Sequence, residues 1–242
     1  MADKKTVETL PTENVDTLDR AKGFWEKNSK PIIYVGVAII VLIAGWFAYQ
    51  NFVVTPKEEQ AAEMLFPAEN LFDKMATTGF SKDSVNIVLN GGDLEGQKIT
   101  GLLKMISQYG GTSAGNRAKY IAGASYLHIN EYAKAIKYLE DFDGNGASQV
   151  ESNAYMMLGH ANAELNKKDE ALSNYKKAAS VNDKDEFFAS NALLVAASYA
   201  DAIGNSKEAI DLFQQIKKDY PSSTAVQNGD VDKNLAKLGI LE

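Results

Sequence analysis

His128 and His160 are the only two histidines in the chain, and there is no cysteine. Together they are its whole supply of side chains that titrate near neutral pH, and thiol nucleophiles and Cys-ligated metals are closed to it. No carboxylate stands at metal-ligand spacing with both, so the two read as surface histidines. The acidic pairs Glu140/Asp141 and Asp183/Asp185 read as solvated turns or helix faces rather than general acids. No G-x-S-x-G, H-E-x-x-H or G-x-x-x-x-G-K-[ST] stretch occurs. Gly91-Gly92 and Gly144-Asn145-Gly146 are loop glycines; a phosphate cradle needs a strand-to-helix turn that neither context supplies. The expectation is a protein that is not an enzyme, with no cofactor, no metal and no small-molecule substrate.

Binding is what remains, and the elements that would position it follow from one stretch. From Pro31 to Val54 the chain reads PIIYVGVAIIVLIAGWFAYQNFVV, with no charge between Lys30 and Lys57. As a helix rising about 1.5 Å per residue, the part from Ile32 to Tyr49 spans roughly 27 Å, about the hydrocarbon thickness of a bilayer. Pro31 suits a first helical turn, Tyr34 marks one interface, and Trp46, Tyr49 and Phe52 mark the other. Thirty residues precede the run and no A-x-A-like site follows it, which argues for an uncleaved anchor in contact with membrane lipid. Arg20, Lys22, Lys27 and Lys30 stand before the span and only Lys57 just after. The expected topology is therefore single-pass, with the N-terminus in the cytoplasm and everything from Thr55 onward outside. The segment after Val54 carries the whole net charge of −7. Such an acidic surface argues against nucleic acid.

Residues 1–30 form a cytoplasmic tail. Met1 to Asn14 is polar, mixed in charge and expected to be disordered. Val15, Leu18, Ala21 and Trp25 recur at helical spacing and predict a short amphipathic helix, broken at Asn28-Ser29-Lys30-Pro31. Residues 31–54 are the transmembrane helix. Residues 55–111 read as a degenerate helical pair with a long loop. Its first helix carries the stripe Ala61, Met64, Leu65, Ala68, Leu71, Phe72 and Met75, with a kink at Pro67. Thr77 to Gly96 is expected to be irregular around a short extended SVNIVL, and Ile99 to Tyr109 helical up to the Gly110-Gly111 stop.

From there the sequence repeats. Gly123, Gly159 and Ala197 align, as do Ala135, Ala171 and Ala209, and Leu139, Tyr175 and Phe213, at spacings of 36 and then 38 residues. That period belongs to helix–turn–helix solenoids. Each unit is two antiparallel helices: the small residues allow close approach, and the large one fills the gap to the next unit. Gly204 supplies a turn and Pro221 ends the third unit. Residues 112–226 hold three such units, and residues 227–242 a capping helix around Val231 to Leu241. The pattern resembles the tetratricopeptide repeat (TPR): small residues at positions 8 and 20, Tyr126 at 11, a large residue at 24 and Pro221 at 32. Lys119, Leu193, Asn162 and Ala200 depart from it. The fold expected is all-α: one N-terminal transmembrane helix followed by a TPR-like α-solenoid.

In such arrays the first helix of each unit lines a concave surface with positions 2, 5, 9, 12 and 13. Here these supply a candidate protein-binding groove of Arg117, Tyr120, Leu127 and His128, then Asn153, Met156 and His160, then Asn191 and Leu194. The Arg117/Asn153/Asn191 row would hydrogen-bond an extended segment, and the Tyr120/Met156/Leu194 row would bury apolar side chains.

The tail, the Phe24 to Asn28 stretch, the anchor and the divergent repeats together resemble the YfgM-like family of membrane-anchored TPR proteins. The resemblance implies an ancillary subunit of the SecYEG translocon that works with a PpiD-like membrane-anchored chaperone. The expected role is a scaffold whose exported repeats bind a chaperone or emerging clients. The alternative is a TPR adaptor of another cell-envelope complex, such as division, gliding or peptidoglycan machinery.

Overall fold

The computed structural model describes residues 13–94 and 96–241, with side chains from Leu18 onward. It divides into two units, one ending at Pro56 and one beginning at Lys57.

The described residues of the first unit are helical. Helix α1 runs Glu13–Tyr49, and a π-helical turn, Gln50–Val54, follows it. The Thr55 N–H reaches back to the Gln50 carbonyl across the wider π turn, and the Asn51 amide donates to Phe47 O at 3.0 Å. The helix is long and apolar enough to cross a membrane. Its large side chains are exposed, among them Ile40, Leu42, Tyr34, Trp46, Tyr49 and Phe52, as is Pro31. An exposed apolar surface of this extent needs a cover other than water.

The expected break at Asn28-Ser29-Lys30-Pro31 does not occur: Pro31 lies inside α1, and the short amphipathic segment is its first turns. An interior proline costs a helix one i→i−4 hydrogen bond and crowds the preceding turn, a cost that apolar spanning helices tolerate. The Asn28 amide donates to Phe24 O at 2.9 Å and ties the preceding turn. Glu13 and Asn14 are likewise helical, whereas the expectation for Met1 to Thr12 lies outside the described residues.

Helix α2 (Thr55–Thr78), all but its first two residues in the second unit, runs through Pro67 and buries Ala61, Leu65, Ala68, Leu71 and Met75 of the expected stripe, with Met64 and Phe72 half-buried. The SVNIVL stretch is helical, not extended, within α3 (Lys82–Asn90). Val85, Val88 and Leu89 are buried at i, i+3 and i+4, and Ser81 caps the helix by accepting from Ser84 N at 3.1 Å. Burial at that spacing overrides the strand preference of β-branched residues. An antiparallel hairpin follows, β1 (Gly91–Leu94) on β2 (Gln97–Thr100), with Gly92 opposite Ile99. Ile99 is therefore a strand residue, and α4 starts later than expected, at Leu102 (Leu102–Tyr109).

Three helix pairs come next: α5 (Ser113–His128) with α6 (Tyr132–Glu140), α7 (Ser148–Glu164) with α8 (Lys168–Val181), and α9 (Glu186–Ala202) with α10 (Ser206–Asp219). A short α11 (Thr224–Gln227) leads to α12 (Asp230–Lys237), whose Val231 and Leu235 are buried and which packs on α10. One apolar cluster joins α2 to α7, and a second joins α8 to α12.

The turn inside each pair is built the same way three times. Asn130, Asn166 and Gly204, each seven residues after the aligned small residue, have φ of 63°, 56° and 84°. The next N–H reaches back to the same helical carbonyl in each: Glu131 to Tyr126, Lys167 to Asn162, and Asn205 to Ala200, at 2.9, 2.9 and 2.8 Å. This is a Schellman closure, in which a left-handed residue satisfies the last helical carbonyls. Gly204 was legible as a turn; the two asparagines at its equivalent positions were not. Gly204→Ala is expected to cost about 1 kcal/mol, because only glycine adopts that conformation freely, whereas Asn166→Gly is expected to be near neutral. Urea titration of the two variants checks the contrast.

In the first two units the repeated small and large residues also meet within the unit. A Cβ on Gly123 would lie 2.5 Å from Leu139 Cγ, and one on Gly159 would fall inside contact distance of the Tyr175 ring. Tyr175 does face the next unit as well, edge-on to Tyr199 at 5.3 Å.

Candidate functional site

The nine groove candidates separate into two settings. At the first pair, the α5 side chains are engaged by α2 and the turn after it. Arg117 forms an ion pair with Glu69 of α2. His128 stacks on Phe80 with ring centroids 3.5 Å apart and planes 10° apart, and Phe72 lies 6.5 Å away. Tyr120 is half-buried against Phe142 at 5.3 Å, and burial raises its pKa. Leu127 is half-buried beside them.

At the second and third pairs the surface is more open. Asn153 and Asn191 are exposed at equivalent positions of α7 and α9, while Met156 and Leu194 lie half-buried on the second core cluster. His160 is not a solitary surface residue: its Nδ1 lies 2.9 Å from Tyr175 Oη. Tyr175 is buried and its hydroxyl is pushed up to about 12 by that burial, with Tyr199 and Glu164 adding to it. It therefore stays protonated, and which of the two groups donates in this hydrogen bond follows the imidazole tautomer. Arg117 differs from Asn153 and Asn191 in that one of its guanidinium nitrogens is paired to a carboxylate, that of Glu69.

Burial lowers the pKa of both histidines, with Glu164 partly opposing it at His160. In the unfolded chain each takes a proton near pH 6.5 that the folded chain accepts only at lower pH. Stability is accordingly complete above that value and declines as pH falls below it. Chemical denaturation between pH 7.5 and 5.5 is expected to show this decline, reduced in His160→Asn. A slope unchanged by that substitution would exclude His160 as its source.

Residues that the sequence did not single out as binding candidates complete a cleft beside Arg117 and Tyr120. It holds about 490 Å³ between α2, α5 and the α6–α7 connection, with Phe72, Asp73, Phe142, Asp143 and Val150 in its walls. The connection is pinned to α5 by a reciprocal pair: Asn116 Nδ2 donates to Asp143 O at 2.6 Å, and Asp143 N donates to Asn116 Oδ1 at 2.9 Å. Lys119 adds bonds to Asp141, at 3.1 Å to its carbonyl and 2.9 Å to its carboxylate. Asn145 and Gly146, both at positive φ, turn the chain there. The only sequence signal was the Gly-Asn-Gly itself. Among the described residues no group of His and carboxylate side chains is placed to hold a metal.

A crystal structure of MamA protein aligns with a TM-score of 0.50 at 17% identity, covering 74% of this chain and 84% of that one, and the likeness is one of fold. No curated protein sequence matches the chain. A family model described as a tetratricopeptide repeat-like domain matches residues 22–219, which includes the three helix pairs, α2 to α4 and most of the apolar helix. The chain belongs to the tetratricopeptide repeat-like domain family.

Proposed function

We propose that this protein is a non-enzymatic inner-membrane scaffold whose exported repeats bind a chaperone or emerging clients at the Sec translocon. The observation that carries the reading is the joining, in one chain, of a helix apolar enough to span a bilayer and a solenoid of the kind that binds other proteins. Tethering then does the work. Confining a weakly binding domain to the membrane beside an exit raises its effective concentration there without a tight interface. The basic flank Arg20, Lys22, Lys27 and Lys30 supports a cytoplasmic N-terminus with the repeats in the periplasm. The translocon and a PpiD-like chaperone as partners rest on the YfgM-like layout.

Affinity purification of the full chain in mild detergent tests this. Recovery of the SecYEG channel subunits with a membrane-anchored chaperone is expected. Recovery of division, gliding or peptidoglycan components in their place would transfer the adaptor to that machinery and overturn the translocon reading.

A further inference from the structure

The cleft between α2, α5 and the α6–α7 connection has a chemistry specific enough to name its occupant. Its walls are largely hydrocarbon: Phe72 from α2, Tyr120 from α5, Phe142 from the connection and Val150 from the start of α7. Its volume of about 490 Å³ is within the range of sites that enclose a ligand. The charges at its rim do not cancel. Arg117 and Glu69 neutralise each other as an ion pair, which leaves the carboxylates of Asp73 and Asp143. Asp73 is exposed and makes no ion pair with any described residue. Asp143 accepts one backbone N–H, from Asn145 at 2.9 Å, and a carboxylate has further lone pairs to offer.

We propose that this cleft seats an extended segment of a partner protein that carries a large apolar side chain with a lysine or arginine beside it. The apolar side chain enters among the aromatic rings, and the neighbouring cation meets Asp73 and Asp143. An anionic segment is disfavoured at the same rim by like-charge repulsion. This deepens the adaptor reading, on which it rests, by stating the chemistry of what is held. The reciprocal Asn116–Asp143 hydrogen bonds keep the connection in place before the partner arrives, so little ordering is left to binding.

The test uses the full chain in lipid nanodiscs, with empty nanodiscs as the blank and a dye-labelled peptide, Gly-Ser-Phe-Lys-Ser-Gly, followed by fluorescence anisotropy. The expected result is binding at least about fivefold tighter than that of peptides with Phe replaced by Ala or Lys by Glu, weakened by added salt. In Asp73→Asn the preference between the Lys and Glu peptides is expected to narrow, because Asp143 remains, and in Asp73→Lys to be lost; circular dichroism confirms that both variants are folded. Equal affinity for the three peptides, or an unchanged preference in Asp73→Lys, would overturn the proposal. Partner recovery by the wild-type chain is scored separately. Recovery without peptide selectivity rejects the cleft alone; selectivity without recovery of any partner rejects the adaptor reading and leaves the cleft standing.

Discussion

Gly159→Val is expected to lower the stability of the repeat region by about 3 kcal/mol, at the upper end of what overpacking costs. In a domain of this size that corresponds to a melting temperature lower by roughly 6–12 °C. The reason lies across the helix pair. Gly159 on α7 faces the ring of Tyr175 on α8 so closely that even one added carbon falls inside it. The ring has no room to retreat, because it is 2% exposed, hydrogen-bonded to His160 and backed edge-on by Tyr199. A gain in helix propensity over glycine, at most about 1 kcal/mol, offsets only part of this. Removing the ring should supply the missing space, so Tyr175→Ala is expected to cost less in the Gly159→Val background than in wild type. Thermal melts of the four members of this double-mutant cycle measure the coupling. A valine variant that melts within about 2 °C of wild type would show that the close approach is not what holds the pair together.

The same contact shows how much of the fold could be read in the chain. The period of 36 and 38 residues, the small residue and the large one sixteen positions later were all visible, and so was the antiparallel pair they imply. What they touch was read only in part: Leu139 and Tyr175 were assigned to the gap between units, and both fill the contact within their own, while Tyr175 meets Tyr199 of the next unit as well. Spacing states that two faces are complementary but not which copy of the repeat supplies the partner. The α3 segment was missed for a related reason. Its Val85, Ile87 and Val88 favour strands locally, and its asparagines resemble turn residues, so only burial against α4 and α5 reveals the helical spacing as the one that counts. The cleft was the least legible. Asp73 and Asp143 lie seventy positions apart, and nothing local to either indicates the other. Tyr120 and Arg117 could be nominated because position within a repeat is periodic information, whereas the α6–α7 connection that completes their surroundings is not.

Replacing Ile40 and Ile43 together by lysine is expected to release the protein from the membrane. Both lie in the middle of the apolar part of α1, three residues apart and so on one face, and both are exposed. A lysine at the centre of a spanning helix costs about 2.5–3.5 kcal/mol on the insertion scale, so two cost roughly 5–7 kcal/mol. They are too deep for their ammonium groups to reach the headgroups without distorting the bilayer. The wild-type chain is expected in the pellet after alkaline carbonate extraction, the double-lysine variant in the supernatant, and an Ile40→Val, Ile43→Val control in the pellet. The released variant should keep the helical circular-dichroism signal of the repeats, because their two core clusters draw only on residues after Pro56. If it stays in the pellet, what holds the protein at the membrane is some surface other than this helix. Tethering would then have to be argued from the repeats themselves. A partner lost on release, with the repeats still folded, would instead show that confinement to the membrane supplies the effective concentration on which a weakly binding array depends.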